Sequence, residues 1–193
     1  MGCAIPVPEG VKQCAPCLAG ASCLMQCVAA VDYGYPWDRL IARFKFQQEV
    51  GWSRVWAELM QAAPGARLAL ASADIIVPVP LTTERMAERG FNQAWEVARH
   101  LPLRPTQALM PDALVRLRAT QAQHRLKRDE RLANLAGVMT AHPLQSHRLV
   151  GRRVLLIDDV STTGATLQVA GQALLLAGAR AVSALVLART PSL

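Results

Sequence analysis

The sequence predicts an α/β fold, a central parallel sheet with flanking helices, preceded by a small cysteine-rich segment. Three observations predict it. Val154–Ile157 and Val182–Ala188 are apolar strand runs joined by a helical stretch, Ala165–Ala177, which together make a βαβ unit with a right-handed crossover. Apolar residues make up 52% of the 193 positions but aromatics only 5%. A core rich in Ala, Leu and Val favours helices packed on a sheet over an aromatic-rich sandwich. All cysteines fall at positions 3, 14, 17, 23 and 27, which sets the first thirty residues apart in composition.

The remaining elements follow in chain order. Pro6, Pro8, Gly10, Pro16 and Gly20 interrupt the cysteine-rich segment. From Trp37 to Gln61, Leu40, Ile41, Phe44, Val50, Val55, Trp56 and Leu59 recur at spacings that predict one or two amphipathic helices, ended by Pro64 and Gly65. Ile75–Val77 is a short buried strand, closed by Pro78 and Pro80 into a rigid loop. Thr82–Gly90 is polar and charged, Asn92–Leu101 helical, and residues 104–113 are loop-like. Residues 116–135 carry Arg116, Arg118, Arg125, Lys127, Arg128 and Arg131 with few large apolar side chains, as expected of an exposed cationic segment. Gly178 stands where a left-handed residue ends the last helix.

The length suits one α/β domain with a small appendage. The net charge of +7 favours anionic partners such as nucleotides, pyrophosphate or nucleic acid. No apolar run reaches the roughly 18 residues needed to span a bilayer. The N-terminus also lacks a basic segment followed by an apolar one, so the expected location is cytoplasmic. An odd cysteine count there argues against a disulfide framework, and the clustering of the cysteines argues for metal. Cys14–Cys17 has the C-x₂-C spacing of a zinc knuckle, and a structural site wants four ligands.

The chemistry concentrates in VLLIDDVSTTGAT, Val154–Thr166. Asp158 and Asp159 fall at the carboxyl end of a strand, where open α/β sheets bind ligands. Ser161, Thr162, Thr163, Gly164 and Thr166 occupy the turn into the helix, with Val160 and Ala165 completing it. Small residues let the backbone curl close to a ligand. Their N–H groups and hydroxyls converge, and the helix N-terminus adds positive potential, which is a seat for a phosphate dianion. Two carboxylates would repel phosphate alone; they fit a ligand that also presents donors, such as adjacent ribose hydroxyls. Acid–acid followed by a hydroxyl-rich loop therefore specifies a ribose 5-phosphate. A Walker A loop is excluded because no lysine follows Gly164, and G-x-G-x-x-G is absent. An Asp pair capping a helix is the plainer reading of the acids alone, but it leaves the rest of the string unexplained.

The string resembles the phosphoribosyl pyrophosphate (PRPP) signature of type I phosphoribosyltransferases. DIIVPVPLTTERMAERGFNQAWEVARHL, Asp74–Leu101, resembles the ComF family of competence-associated, phosphoribosyltransferase-like proteins. So do Arg118, Thr120, Gln123, Arg131 and Asn134, in the pattern R-x-T-x-x-Q…R-x-x-N, and LIARFKF, Leu40–Phe46. The resemblance implies a type I phosphoribosyltransferase-like, Rossmann-like sheet over residues 31–193 and a truncated zinc ribbon over 1–30. It implies Mg²⁺ with PRPP, and Asp158 and Asp159 as the catalytic pair on the ribose. Val79, Pro80 and Leu81, after the Pro78 that closes the strand, would shape a pyrophosphate loop, with Arg85 and Arg89 supplying charge. Arg118 and Arg131 would belong to a hood over the site. For zinc, the family has two C-x₂-C pairs. Cys3 stands where the second member of the first pair falls, its partner would precede Met1, and Cys23 or Cys27 is the substitute fourth ligand beside Cys3, Cys14 and Cys17. His100, His124, His142 and His147 lie in no motif, so no general base is identified. Two functions are expected. One is a phosphoribosyltransferase of unnamed acceptor. The other is a non-catalytic PRPP-sensing module that binds single-stranded DNA and competence proteins in natural transformation. A homodimer is a further candidate assembly.

Overall fold

The computed structural model describes residues 4, 15–18, 22–47, 49–116 and 139–191. Among the described residues, seven strands and seven α-helices follow one another. They are α1 (Ala15–Leu18), β1 (Cys27–Asp32), α2 (Trp37–Phe46), α3 (Ser53–Ala62), α4 (Ala66–Ser72), β2 (Ile75–Pro78), α5 (Thr83–Arg89), α6 (Gln93–Ala98), β3 (Ala108–Leu109), β4 (Leu114–Arg116), β5 (Met139–Ala141), β6 (Arg153–Ser161), α7 (Ala165–Leu176) and β7 (Ala181–Arg189).

Five strands form one sheet in the order β1-β7-β6-β2-β3, and every pairing in it is parallel. Strands β4 and β5 make a separate antiparallel pair. Successive side chains of a strand alternate between faces, and the core divides accordingly. Val154, Leu156, Val182, Ala184 and Val186 pack with Leu167, Ala170 and Leu174 of α7 and with Leu114 and Met139 of the small hairpin. Leu155, Ile157, Leu185 and Leu187 pack on the other side with Ile41, Phe44, Trp56, Met60 and Val97 of α2, α3 and α6. The strands are thus covered on both faces, which explains their uninterrupted apolar runs.

The one or two helices expected over 37–61 are two, α2 and α3, joined through a 3₁₀ turn at Val50–Trp52, and Gly65 after them has φ +84°. Three local readings change. Thr82–Gly90, read as a polar stretch, contains helix α5. Thr82 caps it by accepting from the Arg85 N–H at 3.2 Å, and Gly90 ends it at φ +77°. The loop-like 104–113 contributes the short edge strand β3. Strand β6 continues past Ile157 to Ser161, because β7 pairs with it as far as Arg189. Ser161 is therefore the last residue of a strand and not part of the turn. The sheet also begins early: Cys27–Asp32 pairs with β7, Cys27 opposite Ala184 and Asp32 opposite Arg189, and so starts inside the segment marked by its cysteines. Among the described residues no helix is long and apolar enough to cross a membrane.

The order of strands positions the site. From β6 the chain crosses through α7 to β7 on one side, whereas from β2 it crosses through α5 and α6 to β3 on the other. Beyond their carboxyl ends β6 and β2, neighbours in the sheet, send their loops apart, and open α/β sheets place ligands in that crevice.

Candidate functional site

A crevice of about 350 Å³ opens at this switch point. It is lined by Val79, Pro80 and Leu81 from the loop after β2, by Asp158, Asp159, Val160, Thr162 and Thr166 from the β6–α7 connection, and by Tyr33, Lys45, Arg85, Arg89 and Arg116. A smaller cup beside it is lined by Asp158 and residues 160–167. The two motifs separated by some 80 positions thus face one another, β2 pairing with β6 from Ile75–Val154 to Pro78–Ile157.

The two acids point to opposite faces of the sheet end, as adjacent strand residues must. Asp159 turns towards α2 and α5. Lys45 Nζ lies 3.2 Å from its Oδ1, and Arg89 Nη1 lies 3.9 Å from its Oδ2. Arg89 is itself buried and held. Its Nη1 donates to Gln93 Oε1 at 2.8 Å, and its guanidinium lies over the Phe46 ring at 5.4 Å. Asp158 shares its surroundings with Arg116 at the end of β4. Burial pushes the Asp158 carboxyl up to about 7, and the charge of Asp159 adds to the rise; the Asp159 N–H, Lys45 and Arg116 oppose it. Burial likewise draws the Arg116 guanidinium below its usual value, opposed by Asp158 and reinforced by Arg85. The crevice therefore brings four cationic side chains to two carboxylates, one of which resists ionisation. That imbalance suits a ligand carrying several negative charges.

The loop after β6 has the backbone that a phosphate seat needs. Gly164, at φ +81°, is the residue before α7, and a twelve-residue helix starts behind it. The first N–H groups of a helix have no partner within it and present a positive end. Thr162, Thr163 and Ala165 are exposed, Gly164 and Thr166 partly so, and Thr163 Oγ1 accepts from the Ala165 N–H at 3.3 Å. The Ser161 hydroxyl is engaged elsewhere, accepting from Arg189 at 2.8 Å. The loop after β2 is fixed by Asn92, which caps α6 through its Oδ1 and donates from Nδ2 to the Val79 carbonyl at 3.0 Å.

A profile for the "Phosphoribosyl transferase domain" matches residues 86–193. The chain is 32% identical over 192 residues to the "DNA utilization protein YhgH" of Escherichia coli K12, covering 97% of this chain and 82% of that protein. It is 31% identical over 159 residues to "Competence protein F" of Haemophilus influenzae, covering 81% and 69%. The chain belongs to the ComF family of phosphoribosyltransferase-like proteins. "Competence protein ComFC" of Bacillus subtilis matches at 39% over 117 residues, 60% of this chain and 45% of that one. In this ComF-family chain, Asp158, Asp159, Val160, Thr162, Thr166, Val79–Leu81, Arg85 and Arg89 line the crevice, and Ser161, Thr163, Gly164 and Ala165 line the cup beside it.

Arg118 and Arg131 lie outside the described residues, as do Cys3 and Cys14. Of the remaining cysteines, Cys17 is on α1, partly buried. Cys23 donates from Sγ to the Gln168 carbonyl of α7 at 3.4 Å, and burial pushes its thiol up. Cys27 is buried in β1. No cluster of three or more His, Cys, Asp or Glu with metal-holding geometry occurs among the described residues.

Four residues at or beside the crevice were given no site role in the sequence: Tyr33, Lys45, Arg189 and Arg116, the last expected in an exposed segment but partly buried. Lys45 carried a signal, since it is the charged residue inside LIARFKF, on a helix that otherwise buries Ile41 and Phe44. Arg189 carried another, as a charge closing an apolar strand run. Arg116 was lost among the arginines that follow it, and Tyr33 lies in no motif.

Proposed function

We propose that this protein binds PRPP with Mg²⁺ in the switch-point crevice and transfers its phosphoribosyl group to an acceptor. The observation that carries this is the Asp158–Asp159 pair set between a phosphate-type loop and the cations Lys45, Arg85, Arg89 and Arg116. Asp158 and Asp159 accept from the ribose hydroxyls and stabilise the positive charge that develops on the ring as pyrophosphate departs. Thr163, Gly164 and Thr166 seat the 5-phosphate. Arg85 and Arg89, with the Val79–Leu81 turn, take the pyrophosphate. Arg118 and Arg131 are proposed to close over the ligand and exclude water.

The donor set fits Mg²⁺. That ion takes one or two carboxylates, substrate phosphates and several waters, and Asp158, turned away from the Lys45 and Arg89 partners of Asp159 and reluctant to ionise alone, is a carboxylate that a cation would stabilise. When bound, it supplies neutralisation of the leaving pyrophosphate. A structural Zn²⁺ held by Cys3, Cys14 and Cys17, with Cys23 or Cys27 as the fourth ligand, is the corresponding proposal for the first thirty residues. The proposed setting is the cytoplasm.

A second reading is a non-catalytic PRPP sensor that binds single-stranded DNA and competence proteins, supported by relatives named for DNA utilization and competence. Pyrophosphate release in a screen of PRPP with nucleobases and amines decides between them. Release that disappears in Asp158→Asn/Asp159→Asn supports the transferase. No release with any acceptor, alongside DNA binding that weakens steeply with salt and ignores the double substitution, supports the sensor.

A further inference from the structure

Strand β7 ends in an arginine that the chemistry above does not use. Arg189 is 2% exposed. Its Nη1 donates to Ser161 Oγ at 2.8 Å and to the Thr162 carbonyl. Its backbone binds the same corner, the carbonyl accepting from the Tyr33 N–H at 2.7 Å, while the next residue, Thr190, donates to the Ser161 carbonyl at 3.0 Å. A Cβ built on Gly164 would lie 3.8 Å from Arg189 Nη1, so the guanidinium sits directly beneath the loop glycine.

No carboxylate among the described residues pairs with this charge, and among them the Arg189 Nε is buried without a hydrogen-bond partner. A guanidinium stays protonated at any working pH, and the hydroxyl and carbonyl that accept from Nη1 do not cancel its charge. A buried charge in that state is costly unless something supplies the counter-charge. The open side of the loop that it braces is the place where an anion would sit.

We infer that Arg189 is a positioning residue for the 5-phosphate, bracing the strand end at Ser161 and the 162–164 turn from below and holding a fixed positive charge under the phosphate seat. This rests on the reading of residues 160–166 as that seat. The arginine acts through Ser161, Thr162 and Gly164, without touching the ligand. It favours the dianionic phosphate over the monoanion, because its charge is set before the ligand arrives.

The test is a ³¹P NMR titration of ribose 5-phosphate, at saturating concentration, on the full chain and on Arg189→Gln, Arg189→Lys and Ser161→Ala. In the unaltered protein the second phosphate ionisation should fall below its free value of about 6. Arg189→Gln should return it towards that value and weaken binding at pH 8 by about tenfold to a hundredfold, the range for a lost charge-assisted interaction. Arg189→Lys and Ser161→Ala keep the charge and should keep the lowered ionisation, with weaker binding from the loosened turn. An unchanged phosphate ionisation and affinity in folded Arg189→Gln overturns the inference. If that variant does not fold, a free-solution ionisation in folded Arg189→Lys overturns it instead. Absence of any ribose 5-phosphate binding by the unaltered chain removes the phosphate seat, and the inference with it.

Discussion

Replacing Asp158 by asparagine should stabilise the ligand-free protein at pH 8 while costing it its sugar-phosphate site. Burial and the neighbouring Asp159 charge raise this carboxyl from 3.8 to about 7, and Lys45 and Arg116 only partly offset them. At about 1.4 kcal/mol per pH unit, holding it ionised costs the folded chain up to about 4 kcal/mol. The carboxylate lines an open crevice, where solvent and ions screen it, so a gain of about 1–3 kcal/mol is expected. In a chain of this size that raises the melting temperature by about 2–10 °C. The substitution is close to isosteric, and the asparagine oxygen can still accept from the Asp159 N–H, a bond of 2.9 Å. The sign follows from the raised value. Between about pH 4 and 7 the folded carboxyl keeps a proton that the unfolded chain releases, so the unaltered protein loses stability as pH rises through that window. The variant lacks this loss. Thermal unfolding at pH 4 and pH 8 should show the two proteins converging at the lower pH and separating at the higher. A variant equal to or less stable than the unaltered protein at pH 8 would refute the electrostatic account of the pair.

Other substitutions probe the same site. Lys45→Met removes the 3.2 Å partner of Asp159 and leaves Arg89 at 3.9 Å; with both side chains of the pair largely buried, urea denaturation should show a loss of about 1–3 kcal/mol. Gly164→Ala meets nothing nearer than 3.8 Å, so its effect is backbone strain at φ +81°. A stability loss of about 1–2 kcal/mol and weaker ribose 5-phosphate binding are expected, measured by urea denaturation and NMR titration. Elemental analysis of protein purified without added metal should find close to one zinc per chain, and less than about a tenth of an equivalent would reject the tetrahedral site.

Much of the fold was legible because the central strands are buried on both faces. VLLI and VSALVLA read as strands without tertiary information, and the acids and small hydroxyl residues between strand and helix marked the ligand end. What could not be read depended on partners far away in sequence. TERMAER has no apolar stripe, so α5 emerges only from its Thr82 cap and Gly90 stop. Strand β6 reaches Ser161 because β7 is available to pair with it. CVAAVD sits among cysteines whose spacing pointed to metal, yet Cys27–Asp32 is the edge of the sheet and Cys27 is buried in its core. Lys45, Arg116 and Arg189 reach the crevice or its floor from three separate elements, and their roles depend on strand order rather than on any local pattern. Arg85 and Arg89 were grouped in the sequence, but only Arg89 is buried against Gln93 and Asp159, while Arg85 remains exposed at the mouth.

The Asp158–Asp159 crevice is proposed to hold PRPP with Mg²⁺. Calorimetric titration of PRPP into the full chain, with and without Mg²⁺, tests it most directly. Saturable binding that requires Mg²⁺ and is abolished or severely weakened in Asp158→Asn/Asp159→Asn is the predicted result. Equal affinity in the double variant, or no binding by the unaltered protein, would contradict the account.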